Sequence, residues 1–322
     1  MGVAALDEAR RLRTAVLCGG PSAEREVSLD SGRAVTAALR EAGVPVECVE
    51  LADATPGPLD GLDPDICFNA LHGAFGEDGT LQRLLDERGL AYTGSGAAAC
   101  ALAFDKTAAK DALAAAGVPT PAWTVVVPGT DAAAAVASAG LAGAVVTKPV
   151  RGGSSQGVTL VRERSALAAG VRCAQAYDGR VLIEQLIEGR ELTVGVLDGE
   201  ALPVIELATD RAFYDYEAKY LADDTRYLCP ADLPAAVAAR VTETALAACA
   251  AFGLQHFARV DCMLDADGTP WVLEGNAIPG FTGHSLLPKA AAAAGIAFPE
   301  LCLRILALGW ARHRQRTEGS VR

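Results

Sequence analysis

The pattern of apolar and polar positions in the first hundred residues predicts strands that alternate with helices. Short apolar runs at 14–17, 46–51 and 65–71 are bounded by glycine or proline and predict three strands, and residues 28–41 have helical periodicity. Strands connected in this way pair in parallel, and a parallel sheet binds ligands at the carboxyl ends of its strands. Because Gly19, Gly20 and His72 stand at those ends, the pattern indicates a binding site there.

Beyond residue 100 the pattern changes to shorter strands. An alanine-rich helix at 105–116 ends at Gly117, and the strands predicted after it are 125–127, 145–148, 158–161 and 181–184. This middle section is predicted to be antiparallel and α+β. The elements predicted in the last section are strands at 192–197, 203–207, 256–264 and 270–274, and helices at 235–252 and 300–313. We therefore expect three domains, with limits at 1–95, 96–190 and 191–322.

The net charge of the chain narrows the range of functions that the sequence could have. Its 28 basic and 40 acidic residues give a net charge of −12, which argues against a general surface for nucleic acid or anionic membrane. Residues 1–13 lack the apolar region of a signal peptide, and the apolar stretch at 132–147 is shorter than a membrane span. Nine scattered cysteines without a C-x-x-C pair favour a reducing compartment, so we expect a soluble cytoplasmic protein. Only five of the basic residues are lysines.

One of these lysines, Lys148, ends a predicted strand and precedes a loop rich in glycine and serine at 149–157. Small residues let backbone N–H groups approach an anion closely, and serine hydroxyls add donors. The loop is not a P-loop, because no Gly-Lys-Ser/Thr sequence opens a helix. A phosphate site is favoured, and a flexible hairpin loop is the alternative.

A predicted hairpin carries the most specific cluster. Period-2 alternation places Arg259 and Asp261 on one face of the first strand, and Glu274 and Asn276 on one face of the second. Two carboxylates and an amide oxygen suit Mg²⁺ that is held together with substrate phosphates. The alternative is a cross-strand salt bridge on a solvated face, but the neighbouring positions are apolar.

Three further segments are candidates. The glycine-rich turn at 279–286 presents N–H groups that suit a carboxylate or an oxyanion, although Ser285 fits an ordinary N-cap as well. His72 fits either a site or a turn in which its ring bonds the backbone. The loop at 213–220 is aromatic and charged, and Lys219 favours a lid over a polar excursion.

Taken together, these segments resemble the D-alanine–D-alanine ligase family of the ATP-grasp superfamily, over nearly the whole chain from Val16 to about Leu306. The segments that carry the resemblance are 19–28, 71–82, 92–96, 105–106, 148–157, 214–220, 259–261 and 274–286. The resemblance implies an ATP-grasp fold of three domains. It also implies a carbon–nitrogen ligase that joins two D-alanines through a D-alanyl phosphate, releasing ADP and phosphate, for peptidoglycan precursor synthesis.

The resemblance implies a role for each motif residue. The ATP site would comprise Lys106, Lys148, Ser155 and Lys219 at the phosphates, Glu184, Gln185 and Ile187 at the adenine, and Glu191 at the ribose. Two Mg²⁺ or Mn²⁺ ions would be held by Asp261, Glu274 and Asn276. The catalytic group would comprise Glu24, Ser154, Tyr220, Arg259 and the N–H of Gly280, with His72 near the first D-alanine and with Ser285 and Leu286 at the second.

The resemblance further implies a homodimer and leaves a monovalent cation open. The alternatives are a related ligase that makes D-Ala-D-Lac or D-Ala-D-Ser, and a nucleotide-binding regulator without catalysis; Tyr220 favours D-alanine. This sequence departs from the family at Gly152, Gly275 and Ala277. We expect Gly275 to loosen the strand of the metal ligands by about 0.5–1 kcal/mol.

Overall fold

The computed structural model describes residues 2–54, 57–61, 63–208 and 226–319. In these ranges the strands form three sheets. The predictions for Lys219, Tyr220 and the whole of the expected lid at 213–220 lie outside the described residues.

The first sheet is parallel, as predicted. Its strands are β1 (Thr14–Gly19), β2 (Val46–Leu51), β3 (Ile66–Asn69) and β4 (Ala91–Tyr92), in the order β2-β1-β3-β4. The helices of this part are α1 (Val3–Ala9), α2 (Arg25–Glu41) and α3 (Thr80–Glu87). Every residue of β1 and β3 is buried, because helices cover both faces of a parallel sheet.

The second sheet is antiparallel, again as predicted. Its strands are β5 (Trp123–Val126), β6 (Val145–Pro149), β7 (Thr159–Val161) and β8 (Val181–Gln185), in the order β5-β8-β6-β7. The helices that pack on it are α6 (Ala132–Ser138) and α7 (Leu167–Gln175), whereas α4 (Ala97–Phe104) and α5 (Lys106–Ala115), which precede them in the chain, pack on the third sheet. The Asp105 carboxylate accepts hydrogen bonds from the N–H groups of Thr107 and Ala108, which fixes Lys106 as the first residue of α5.

The third sheet contains the predicted hairpin. Its strands are β9 (Arg190–Leu197), β10 (Glu200–Ala201), β11 (Ile205–Ala208), β12 (Arg226–Leu228), β13 (Phe257–Leu264) and β14 (Pro270–Asn276). The path runs β12-β11-β9-β13-β14, and β10 pairs with β9. The remaining helices are α8 (Ala235–Phe252), α9 (Leu286–Ala293) and α10 (Phe298–Gly319).

The pattern missed α1, α3, α4, α6 and α7, and it made the last helix too short. Helix α10 returns to the first sheet, where Trp310 Nε1 donates to Glu8 Oε1 at 2.9 Å and Arg312 Nη2 donates to the Tyr92 carbonyl at 2.9 Å. The domain limits near 95 and 190 stay a prediction.

Helix α8, and not the stretch at 132–147, is the segment that has the length and hydropathy of a membrane span. Its 18 residues have a mean hydropathy of 1.4. In the fold one face packs into the core of the third sheet, through Val241, Ala245, Ala248, Cys249 and Phe252. The other face includes exposed Arg240 and Glu243, which is the burial pattern of a surface helix.

Candidate active site

Two adjoining cavities form one cleft between the three sheets. The first, of about 560 Å³, is lined by residues of β6, β8, β9 and β14. The second, of about 650 Å³, lies between the loops of the first sheet, the third sheet and the turn before α9. Each has the size of an ordinary small-molecule site. The residues lining both are Lys106, Gly152, Gly153, Glu191, Leu207, Asp261 and Glu274.

A buried group of two lysines and one carboxylate stands at the wall of the first cavity. Glu184 Oε1 lies 2.5 Å from Lys148 Nζ, and Glu184 Oε2 lies 2.7 Å from Lys110 Nζ. We call Lys110, Lys148 and Glu184 the buried cluster, since none is more than 8% exposed. Burial raises the pKa of Glu184, but the two ammonium groups outweigh it and leave the pKa below its ordinary value. Burial lowers the pKa of Lys110 to about 8, so this lysine is charged at neutral pH.

The glycine- and serine-rich loop is held from two sides, which argues against a flexible hairpin. Lys106 Nζ donates to the Gly152 carbonyl at 2.6 Å, and Ser154 Oγ donates to Glu24 Oε1. Ser154 and Ser155 both have left-handed backbone, with φ of 52° and 56°. Such conformations cost roughly 1–3 kcal/mol each outside glycine and cluster at functional sites. Gly152, a departure from the family, has φ of 136°, which an acidic residue would adopt only with strain.

The residues predicted at the adenine and ribose line the first cavity. Gln185 is the last residue of β8, Ile187 lies two residues beyond it, and Glu191 is the second residue of β9 and borders both cavities. Ser155 lines the same cavity on the loop side. Apolar side chains including Val146, Leu160 and Met263 line it as well. A flat aromatic base suits such a wall, with polar groups at its edge.

Oxygen ligands converge where the two cavities meet. In the β13–β14 ladder Asp261 pairs with Glu274, and Arg259 pairs with Asn276. The cleft cluster is defined as Arg259, Asp261, Glu274 and Asn276. A bulge after Asp261 leaves Leu273 without a partner and interrupts the simple alternation. Glu274 Oε2 lies 3.5 Å from Lys106 Nζ.

This donor set fits a divalent cation that shares its coordination with phosphate. Among the described residues no three His, Cys, Asp or Glu side chains form a complete metal cage. Two carboxylates and one amide oxygen remain, all of them hard donors. Mg²⁺ prefers one or two carboxylates together with phosphate oxygens and water, so an incomplete protein shell is the expected one.

Arg259 and Asp261 form a bidentate ion pair inside the cleft. Arg259 Nε lies 2.8 Å from Asp261 Oδ1 and Nη2 lies 2.7 Å from Oδ2, while Thr193 Oγ1 donates to Oδ1 at 2.6 Å. The two side chains are only 13% and 14% exposed. This pair differs from the alternative of a cross-strand salt bridge on a solvated face, because Arg259 and Asp261 lie on the same strand and are largely buried.

His72 connects the first sheet with the turn before α9. Its Nε2 lies 3.0 Å from Ser31 Oγ, which also accepts the Phe281 N–H at 3.3 Å. Its Nδ1 lies 3.3 Å from Glu77 Oε1, and burial raises the pKa of Glu77 against the opposing effect of His72. The ring thus bonds side chains and not the backbone, which excludes the simple turn histidine.

The turn before α9 is built around Ser285. Its Oγ accepts the Thr282 N–H at 2.9 Å and makes no capping bond to the N–H groups of α9. A Cβ on Gly280 would lie 2.6 Å from that Oγ, so glycine allows the close approach. Gly280, Ser285 and Leu286 all line the second cavity, and their role at the substrate end of the site stays a prediction.

Several residues that hold these groups in place carry no signal in the sequence. Lys110 matches no motif, and Ser31 lies in the middle of α2. Arg151 Nε and Arg180 Nη2 both donate to Asp105 Oδ2, at 3.2 and 2.6 Å, and this secures the loop to the start of α5. No local pattern identifies these residues, because their partners come from other elements.

Comparison with known proteins agrees with this geometry. Residues 49–95 match the family model for the D-ala D-ala ligase N-terminus, and residues 112–307 match that for its C-terminus. The chain is 48% identical to a D-alanine–D-alanine ligase of Ectopseudomonas mendocina over 92% of this chain and 94% of the relative. It is 48% identical to one of Gloeobacter violaceus, over 92% and 98%.

Solved structures give the same result. A D-alanine–D-alanine ligase from Bacillus anthracis complexed with ATP superimposes with a TM-score of 0.85 and 31% identity, over 95% of this chain and 99% of that one. A ligase from Coxiella burnetii superimposes with a TM-score of 0.82 and 25% identity, over 96% and 97%. The chain has the ATP-grasp fold and belongs to the D-alanine–D-alanine ligase family.

Proposed function

We propose that this protein joins two D-alanines to D-alanyl-D-alanine at the expense of ATP, through a D-alanyl phosphate. One observation carries the proposal. A cavity walled by lysines and a cavity walled by Glu24, His72 and the turn before α9 meet at Asp261 and Glu274. The γ-phosphate of a nucleotide in the first cavity would therefore face a carboxylate in the second.

The nucleotide end of the site neutralises phosphate charge. Lys106 and Lys148 stand on either side of the loop at 149–157, and both line the first cavity. We assign them to the phosphates, with Ser155 as a further donor and Lys219 from the expected lid. Asp261, Glu274 and Asn276 would hold two Mg²⁺ or Mn²⁺ ions, which would offset the charge of the phosphates when bound.

The first D-alanine would lie between Glu24 and the cleft cluster. Glu24 is held by Ser154, and its carboxylate is a partner for the ammonium group of the amino acid. Arg259 lies at the edge of the same cavity, where its guanidinium would stabilise negative charge on the tetrahedral intermediate, together with the N–H of Gly280. Such a reaction depends on positioning and charge more than on a protein nucleophile.

The second D-alanine would place its carboxylate at the turn before α9. Ser285 supplies a hydroxyl, and Ser285 and Leu286 lie at the amino end of an eight-residue helix, where N–H groups favour an anion. Its amine would then point towards the acyl phosphate. Tyr220, with Ser154, would connect the lid to Glu24 and exclude water that hydrolyses the intermediate.

The remaining assignments follow the resemblance. We expect a cytoplasmic homodimer that supplies peptidoglycan precursors and does not bind nucleic acid, as the net charge of −12 favours. A monovalent cation stays an open element of the site.

The test is phosphate release from ATP and Mg²⁺ with D-alanine alone, D-alanine plus D-lactate and D-alanine plus D-serine, with each product identified by mass spectrometry. We expect turnover with D-alanine alone to give D-alanyl-D-alanine. Turnover that requires D-lactate or D-serine would assign the protein to the related ligases. Tight ATP binding without turnover of any pair would support the regulator.

A further inference from the structure

Lys110 has no role in the proposed function, and it is the most deeply buried of the described lysines. Its side chain is 1% exposed, and its Nζ lies 2.7 Å from Glu184 Oε2. It lines neither cavity, whereas Lys148, on the other oxygen of the same carboxylate, lines the nucleotide cavity. Lys110 therefore cannot contact a nucleotide bound there without a rearrangement of the core.

The charges of the buried cluster do not cancel. Two ammonium groups share one carboxylate, so the cluster carries a net charge of about +1 when both lysines are protonated. If Lys110 were neutral, Glu184 and Lys148 would form a closed neutral pair. The positive charge available to a phosphate in the cavity would fall, because opposite charges 2.5 Å apart compensate each other.

Lys110 also connects this cluster with the strand of the metal ligands. Its Nζ donates to Thr120 Oγ1 at 2.8 Å, and Thr120 Oγ1 donates to the Val272 carbonyl at 2.8 Å. Val272 lies on β14, the strand that carries Glu274. The same ammonium group thus contacts the carboxylate on β8 and, through one hydroxyl, the backbone of β14.

We propose that Lys110 is a positioning residue for nucleotide binding, which neutralises Glu184 so that the charge of Lys148 stays available to the phosphates. The inference rests on the proposed phosphate role of Lys148. If the inference is right, the effect of Lys110 on nucleotide affinity depends on the negative charge of Glu184. A lysine that only filled the core would have an effect that does not depend on this charge.

The test is a double-mutant cycle on the affinity for ADP with Mg²⁺, measured by titration calorimetry at fixed ionic strength. The variants are Lys110→Met, Glu184→Gln and the double variant. Arg83→Met on α3 is the control for net charge, since Arg83 is 63% exposed and lines neither cavity. Thermal unfolding of each variant reports whether it is folded at the temperature of the titration.

We expect Lys110→Met to raise the Kd for ADP about tenfold in the wild-type background and less than about twofold in the Glu184→Gln background. The control should leave the Kd unchanged. An equal loss in both backgrounds, or no loss in either, would overturn the proposal. If Lys110→Met alone does not fold, the double variant decides: binding within about twofold of Glu184→Gln supports the proposal, and a larger loss refutes it.

Lys148→Met separates this inference from the proposed function. A normal Kd in that variant would refute the phosphate role of Lys148 itself. A large loss with Lys148→Met, combined with equal losses for Lys110→Met in both backgrounds, would refute only the role of Lys110.

Discussion

The buried cluster and the cleft cluster both contain acidic and basic side chains, but they differ in what their carboxylates face. In the buried cluster each oxygen of Glu184 faces an ammonium group, and the carboxylate is only 3% exposed. In the cleft cluster Glu274 is 27% exposed and borders both cavities. The first arrangement fixes its partners inside the fold, whereas the second presents carboxylate oxygens to a cleft.

This difference indicates that the buried cluster contributes mainly to the stability of the fold and the cleft cluster mainly to activity. A carboxylate between two buried lysines is needed by the fold, because its removal leaves uncompensated buried charge. A carboxylate at the edge of a cleft costs little to remove and is retained for what it binds. An acid-to-amide substitution should therefore lower mainly the stability in the buried cluster and mainly the activity in the cleft cluster.

The largest expected effect is the loss of activity in Glu274→Gln. We expect kcat to fall about 10³-fold or more, because an amide is a poor Mg²⁺ ligand and leaves phosphate charge uncompensated. Steady-state phosphate release measures kcat, and the unfolding midpoint in urea should stay close to that of the wild type. Near-normal turnover would refute the metal assignment and with it the contrast between the clusters.

The next effect is on stability. Glu184→Gln should lower the free energy of unfolding by about 3–5 kcal/mol, since two buried lysines lose their carboxylate. Glu274→Gln, the matched change in the cleft cluster, should cost less than about 1 kcal/mol, because Glu274 is 27% exposed and lies 3.5 Å from Lys106 Nζ. Urea titrations of both variants test this order. Equal losses in the free energy of unfolding would show that the cleft cluster stabilises the fold as strongly as the buried cluster does.

Gly275 extends the comparison to the packing of β14. The sequence predicted that this glycine destabilises the strand, and the structure indicates the opposite direction. A Cβ at this position would lie 2.5 Å from Cε2 of Phe252, so the glycine lets α8 pack closely on β14. Gly275→Ala should lower the free energy of unfolding by about 2–3 kcal/mol. Gly179→Ala, where a Cβ would meet no atom within 4 Å, is the control. A stabilised Gly275→Ala variant would restore the original expectation.

His256 shows what happens to a buried basic group without a carboxylate. Burial, aided by Arg312, lowers its pKa to about 3 from the ordinary 6.5, and its Nδ1 has no hydrogen-bond partner among the described residues. Below pH 6.5 the unfolded chain binds a proton that the folded chain does not, so this group removes stability as the pH falls towards 3.

At pH 5 that loss is about 2 kcal/mol. His256→Asn, which tolerates the left-handed φ of 66°, should therefore lose about 2 kcal/mol less than the wild type between pH 7 and pH 5. Urea titrations at the two pH values give the difference. Parallel pH dependence in the two proteins would contradict the lowered pKa.

Local periodicity determined much of this protein. It predicted the parallel first sheet from strands that alternate with helices, and the antiparallel second sheet from short strands with turns between them. It predicted the hairpin of β13 and β14 because these strands are adjacent in sequence. The cleft cluster followed from the same reasoning, since its residues belong to one hairpin. Only the bulge at Leu273 escaped, because alternation does not reveal where a ladder loses a partner.

Tertiary structure alone decided the buried cluster and the connection of His72 with the turn before α9. Lys110, Lys148 and Glu184 come from α5, β6 and β8, and Ser31 meets Phe281 from the far end of the chain. Periodicity shows which face of an element is apolar, but it does not show which faces meet. A buried charge is stabilised only by a partner across such a contact, so the sequence predicted the candidate ligands of the cleft and the fold revealed the residues that hold them.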